Sequence, residues 1–332
     1  MEKYLSYQDV LLVPKYSELP SRSKANTSIE FLGFKFKLPI VPANMLSVID
    51  VNIAEYLSNN GYFYIYHRFG NTKNGHLDTY EFVKYANKHD FNIVSISTGI
   101  NEDSRKELLS LKKEKIDFIT IDVAHAHHLK VKSQIDFIRK NFPKTRLIVG
   151  NAATTEGVCN LSEWGAEAVK VGIGQGSICT TRLQTGFSVP MFSCVQDCCQ
   201  NFYWQENKLG NPTYKEFKTV PIIADGGIQT IGDISKALSV GASMVMSGGL
   251  FARCSDSPAD INKVDGKKIY FGSTSYEAKG NSKHIEGRTL EVNVDVSYKE
   301  KLEEIKQALS SAISYAGGKD LSAFKNVEYI RV

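Results

Sequence analysis

The chain has 332 residues, 42% of them hydrophobic and 23% charged, which is enough apolar material for a large core. No apolar run approaches the roughly 18 residues that a membrane span requires. The 40 basic and 36 acidic residues leave a net charge of +4 spread along the chain, without the basic tract and interleaved aromatics of a nucleic-acid surface.

The N-terminal MEKYLSYQDVLLVP mixes acidic residues into short apolar runs and lacks the pattern of a secretion signal, so a cytoplasmic protein is expected. Short β-rich runs then recur: PIVPANM from Pro39, YFYIYHRFG from Tyr62, NIVSISTG from Asn92, FITIDVAHA from Phe118, RLIVGNA from Arg146, AVKVGIG from Ala168, VPIIADGG from Val220 and ASMVMSGG from Ala242. They are continuously apolar, as strands buried on both faces of a parallel sheet are. Amphipathic segments such as NEDSRKELLSLKKEK, KVKSQIDFIRKNF and IGDISKALSVG lie between them, with Asn, Asp or Thr ahead and Gly or Pro behind. Eight βα units predict an α/β fold, a TIM (β/α)8 barrel forming a single domain over residues 1–332. No dinucleotide-binding glycine fingerprint follows the first strand, as an open doubly wound sheet would have it.

In such a barrel the active site lies at the C-terminal ends of the strands. The polar residues there are Asn44, His67 with Arg68, Asp122, Asn151, the VGIGQGSICTTR loop, Asp225 with Gly226 and Gly227, and Gly248 with Gly249. Glycine pairs after the seventh and eighth strands let backbone N–H groups approach a phosphate, although tight βα turns use glycine too. Asp225 is placed to accept hydrogen bonds from ribose hydroxyls.

Cys179 sits in the loop after strand six with Ser177, Thr180, Thr181 and Arg182, a setting for a nucleophilic thiolate. The other cysteines, at 159, 194, 198, 199 and 254, are expected as free thiols, the 194–199 group on a half-buried helix face. His125, His127 and His128 have no carboxylate pair at ligand spacing and read as loop hydrogen-bonders. Glu286 reads, on its own, as a solvated loop charge. The long interval between the sixth and seventh strands, with NFYWQENKLGNPTYKEF, reads as a surface elaboration.

The motifs YQDVLLVP, PANM, YHRF, DVAHAH, GNAAT, VGIGQGSICTTR, PIIADGG, MVMSGG, FGSTS, IEGR and SYAGG, spread over nearly the whole chain, resemble the IMP dehydrogenase/GMP reductase family, and within it the GMP reductases. The resemblance implies NADPH-dependent conversion of GMP to IMP and ammonia through a thioimidate on Cys179, with Thr181 and Glu286 relaying the proton. It implies nucleotide contacts from Ser177, Asp225, Gly226, Gly227, Gly248, Gly249, Gly272, Ser273, Thr274, Lys283 and Gly287. NADPH contacts are implied for Arg68, Asp122, Val123, Ala124, Asn151, Ile173, Gly174 and, from a neighbouring subunit of a homotetramer, Ser314, Tyr315, Ala316 and Gly317. Gly174, Gly176, Cys179 and Arg182 resemble a potassium site, and the loops at about 175–218 and 273–298 are expected to be mobile. Gln175 stands where the family often has proline, Arg68 where many members have lysine, and Lys283 where many have arginine.

An IMP dehydrogenase would usually carry a regulatory domain after the second strand, where this chain has room for one helix, and a longer flap with an Arg-Tyr pair. A non-catalytic purine-nucleotide-binding barrel is the other alternative; Cys179, Thr181 and Glu286 occurring together argue against it.

Overall fold

A computed structural model describes residues 4–70, 76–200, 202–206, 212–272, 275 and 286–332. The chain opens with β1 (Val10–Leu12), a hairpin of β2 (Ile29–Phe31) and β3 (Phe34–Phe36), and β4 (Ile40–Pro42), then α1 (Val51–Asn59) and α2 (Thr79–Lys88). Strands and helices then alternate: β5 (Ser95–Thr98), α3 (Glu102–Ser110), β6 (Phe118–Asp122), α4 (Leu129–Asn141), β7 (Arg146–Ala152), α5 (Thr155–Trp164) and β8 (Ala168–Val171). After these come α6 (Thr181–Thr185), α7 (Met191–Cys198), a hairpin of β9 (Phe202–Glu206) and β10 (Pro212–Glu216), β11 (Ile222–Asp225), α8 (Gly232–Ser239), β12 (Met244–Ser247) and α9 (Gly249–Ala252). A hairpin of β13 (Lys268–Phe271) and β14 (Thr289–Val292), a C-terminal helix over Tyr298–Tyr315, and β15 (Tyr329–Arg331) complete the chain.

Seven strands form one parallel sheet in the order β4-β12-β11-β8-β7-β6-β5. The second predicted run, from Tyr62, departs from expectation: among the described residues it contributes a single parallel bridge, Tyr66 to Ile96, beyond β5. Side chains hold it more than a ladder does. The hydroxyl of Tyr64 donates to Ile93 O, the ring of Tyr66 stacks on Phe82 at 3.7 Å, and Ser97 Oγ donates to Tyr66 O.

The expected start signal holds for α3, whereas α4 is capped by His128 and α8 starts after Ile231 without a side-chain cap. Asn101 caps α3 through Ser104 N and Thr154 caps α5 through Gly157 N, while Gly165 ends α5 in the left-handed conformation. The C-terminal helix starts with a reciprocal Ser297/Glu300 capping box. The 175–218 stretch is not an unbroken loop, since it carries α6, α7 and the β9/β10 hairpin. Among the described residues, no helix is long and apolar enough to cross a membrane.

The end of the sheet opposite the strand C-termini is closed by aromatic packing. Phe63 sits 5.4 Å from Phe31, 5.1 Å from Phe36 and 4.9 Å from Phe118, ring centre to ring centre, and Phe34 lies 4.9 Å from Phe118. The β2/β3 hairpin thereby plugs that end and leaves the other as the open mouth. Phe63 is fully buried, so Phe63→Ala should cost about 3–5 kcal/mol. The urea midpoint is expected to fall clearly below wild type; an unchanged midpoint would take the plug out of the cooperatively folded core.

Candidate active site

The ends of β4, β6, β7 and β11 deliver polar groups to the mouth that meet, directly or through one another, on one buried lysine of β8. Lys170, in the middle of β8, places Nζ 2.8 Å from Asp122 Oδ1 and 2.9 Å from Asp225 Oδ2. Asn44 Nδ2 donates to Asp122 Oδ2 at 3.0 Å, and Asn151 Nδ2 donates to Asp225 Oδ2 at 2.9 Å and to Gly172 O at 2.7 Å. Burial alone would push the Asp122 carboxyl up, but the Lys170 ammonium, with Arg68 and Asn44, holds it below the usual carboxylate range. Burial likewise works against charge on Lys170, and the two carboxylates outweigh it and hold the ammonium protonated.

In the sequence Lys170 is inconspicuous because it sits inside an apolar run. The available signal was that same misfit, since a lysine in a strand buried on both faces needs carboxylates, and Asp122 and Asp225 end strands of the same sheet.

Beyond Lys170 the chain turns sharply at Gly172, whose φ is +135° and where a Cβ would strike the carbonyl of Asp225. The loop that follows carries Cys179, which is half-buried. Its Sγ donates to Thr181 Oγ1 at 3.2 Å, and Thr181 Oγ1 donates to Glu286 Oε2 at 2.5 Å. Glu286 is therefore a partner of the cysteine loop and not a lone solvated charge.

A short antiparallel clip puts it there. Thr180 N donates to Glu286 O at 2.7 Å, Arg288 N donates to Ile178 O at 2.9 Å, and Cys179 bridges Gly287. The Arg288 guanidinium adds Nε and Nη2 bonds of 3.2 and 2.9 Å to Ser177 O. Immediately after the clip the chain enters β14, paired antiparallel with β13, and β13 is anchored by Ser47 Oγ, which donates to Phe271 O at 2.8 Å.

The same loop gathers most of the expected nucleotide contacts. Gly227 N donates to Gln175 O at 3.1 Å, Gly226 lies against Gly176 N, and Gly272 lies against Ile178. The Tyr270 hydroxyl fills the space where a Cβ on Gly248 would go. The N–H of Gly227 is thus engaged by Gln175 O, which ties the Asp225–Gly227 turn to the cysteine loop. The Gln175 side chain compensates for the missing proline by donating to Ser188 Oγ at 2.6 Å, which in turn donates to Ile173 O at 2.7 Å.

Around Asp122, Val123 N donates to Gly150 O and Asn151 N to Val123 O, so residues 122–124 and Asn151 form one edge of the mouth. Arg68 is exposed, stacked 4.6 Å above the Phe69 ring and close to Gly99. Arg182 is exposed on α6. Gly249, at the start of α9, follows β12 at the mouth.

Ser314, Tyr315, Ala316 and Gly317 are not brought to this mouth. Their helix starts there, where the Tyr298 hydroxyl bonds Val48 O, and runs 18 residues, about 27 Å, away from it. Ser273, Thr274 and Lys283 lie outside the described residues. His127 Nε2 pairs with Asn160 Nδ2 at 2.8 Å and His128 Nδ1 accepts from Lys130 N at the start of α4, as loop hydrogen-bonders should. No cluster of three metal-ligating side chains occurs among the described residues.

A sequence model of the IMP dehydrogenase / GMP reductase domain matches residues 4–332. The chain belongs to that family. It is 42% identical to a protein named GMP reductase from Streptococcus suis over 98% of this chain and 94% of that one. It is 41% identical to proteins of the same name from Oceanobacillus iheyensis, over 100% of this chain and 97% of that one, and from Staphylococcus epidermidis, over 99% and 97%. Family membership thus spans both the strand ends and the β13/β14 arm that brings Glu286 to Cys179.

The six thiols differ enough for a direct test. Cys159, Cys194, Cys198 and Cys254 are buried; burial pushes the Cys199 and Cys254 thiols up to about 12, and a hydrogen bond with Cys194 together with burial raises Cys198 well above the ordinary range. Iodoacetamide at pH 8 should therefore alkylate Cys179 first. Peptide mapping after partial reaction checks this, and first labelling at any of the other five would contradict the environment described.

Proposed function

We propose that the protein catalyses the reductive deamination of GMP to IMP and ammonia, with NADPH as the nicotinamide cofactor, on a single (β/α)8 barrel domain covering residues 1–332. The observation that carries the reading is the hydrogen-bonded line Cys179, Thr181, Glu286 at the mouth, in a chain whose relatives are named GMP reductase. In this reading the run from Tyr62 completes the ring between β4 and β5, supported by Lys37 N donating to Gly61 O at one end and by the Tyr66 bridge to Ile96 on the other flank.

The residues at the mouth fit a nicotinamide dinucleotide. Asn151 Oδ1 is buried with no hydrogen-bond partner among the described residues, an acceptor suited to a carboxamide N–H. Arg68 offers an exposed guanidinium suited to phosphate oxygens. Asp122, Val123, Ala124, Ile173 and Gly174 would line the remainder. When bound, the cofactor supplies the hydride that replaces sulfur at C2 of the purine.

The chain's own residues do the rest. Thr181 takes the Cys179 proton while passing its own to the Glu286 carboxylate, in the direction that the two hydrogen bonds run. The thiolate adds to C2 of GMP, and protonated Glu286 returns the proton through Thr181 to the 2-amino group. The C2–N bond breaks, ammonia leaves, and a thioimidate remains on Cys179; thiolate departure after reduction releases IMP. Asp225 holds the ribose hydroxyls, and Ser177 with the backbone of Gly226, Gly248, Gly249 and Gly272 surrounds the phosphate. Gly287 is proposed as a further nucleotide contact, and the same role is proposed for Ser273, Thr274 and Lys283, which lie outside the described residues. The carbonyls of Gly174, Gly176 and Cys179, with Arg182, are proposed to hold potassium, which a potassium titration of activity tests.

Ser314 to Gly317 would meet the cofactor only on a neighbouring copy, which supports a homotetramer; sedimentation velocity tests it. Loss of NADPH absorbance with GMP separates this reading from its rivals. An IMP dehydrogenase would instead reduce a nicotinamide with IMP, and a non-catalytic barrel would do neither.

Cys179→Ser should retain GMP binding and lose turnover by at least a hundredfold, because a neutral hydroxyl is a far weaker nucleophile than a thiolate. A tenth of wild-type activity surviving would rule out covalent catalysis at this residue.

Glu286→Gln separates the two halves of the reaction. Ammonia release should slow sharply at any pH, because the amine must be protonated, whereas forming the thioimidate from IMP and NADP+ uses Glu286 only to take the thiol proton, so the NADPH burst, slowed at pH 7, should recover at pH 9 where the thiol ionises unaided. Loss of the burst at pH 9 in parallel with the forward rate would reduce Glu286 to a general positioning role.

A further inference from the structure

Lys170 is left without a task by the reaction just described. It is flanked in β8 by the buried Val169 and Val171, and a charge in such a strand persists only where partners offset its desolvation. Its side chain is 2% exposed, whereas those of Asp122 and Asp225 are 17% and 22% exposed. The two carboxylates thus have a face on the mouth, and the ammonium that joins them from behind does not. Asn44 and Asn151 fix the flanks of the same carboxylates.

We infer that Lys170 is a positioning residue that ties the carboxylate facing the cofactor to the carboxylate facing the nucleotide, so that each ligand binds an oxygen pair whose orientation depends on the other; this rests on the GMP and nicotinamide reading above. The reason is electrostatic. Both carboxylates contact one nitrogen, so removing its charge leaves two like charges facing across a void, and one of them must take up a proton or turn away. A residue that touches neither ligand therefore controls both binding sites.

The test uses Lys170→Met, which keeps the length of the side chain without the charge, and Lys170→Met/Asp122→Asn, which also removes the repulsion. In the single variant the dissociation constants for GMP and for NADPH, each measured alone by calorimetry, should both rise at least tenfold. In the double variant GMP affinity should recover to within about threefold of wild type while NADPH stays weak, a split that a merely space-filling lysine would not produce. Constants within twofold of wild type in the single variant, or no recovery of GMP binding in the double, overturn the inference. Should neither Lys170 variant fold, Asp122→Asn decides: with the ammonium undivided and drawn to Asp225, GMP should bind about threefold more weakly with no cofactor present, and an unchanged constant overturns the coupling. A wild-type protein that binds no GMP removes the underlying reading together with the inference, whereas wild-type binding with unaltered variants removes the inference alone.

Discussion

An ammonium buried among valines is tolerable only while carboxylates surround it, and in this protein that requirement organises the mouth of the sheet. Lys170 draws in Asp122 from β6 and Asp225 from β11, and those two draw in Asn44 beyond β4 and Asn151 from β7. Four strand ends besides that of β8 are thereby fixed to one atom. The arrangement leaves the outer faces of two charged carboxylates presented side by side, which is what a site for two polar ligands in contact requires.

The thiol chemistry is built on a second, separable device. Cys179 is carried on the loop after β8, and its proton acceptor line is completed by a segment folded back from the β13/β14 hairpin. Main-chain bonds from Thr180 and Arg288 and the guanidinium of Arg288 on Ser177 O set the register of that segment. The polar frame and the clip meet at Gly226 and Gly227, which pack on the cysteine loop. The aromatic plug of Phe31, Phe34, Phe36, Phe63 and Phe118 lies at the opposite end of the sheet, so changes to stability and to chemistry are drawn from different residues.

Seven of the eight strand runs were legible as strands because parallel strands buried on both faces leave unbroken apolar stretches. The run from Tyr62 was legible as buried but not as sparsely bridged, since its place is set by aromatic contacts with Phe82 and Phe118 that no local pattern encodes. Cys179 and Asp225 stood out because each closes an apolar run with a reactive or charged group. Glu286 did not, because its role comes from a β-bridge to a loop distant in sequence, and only family resemblance singled it out. Lys170 was hidden for the opposite reason: the pattern that marks a strand averages over a single charge, and the charge is what mattered. The committed N–H of Gly227 and the Gln175 to Ser188 tether are likewise tertiary facts.

The clip also fixes an order of events as the polypeptide is made. Thr181 and its carboxylate partner are 105 positions apart, so at ribosomal elongation rates about 5–20 s separate the emergence of the cysteine loop from that of the acid that completes it. All seven strands of the main sheet have appeared by then, and the cysteine loop precedes the completed Glu286 line. A chain interrupted between β12 and Glu286 would carry Lys170 and both its carboxylates but no acid partner for Thr181. The acid partner of the thiol line thus arrives only after every strand of the main sheet has been made.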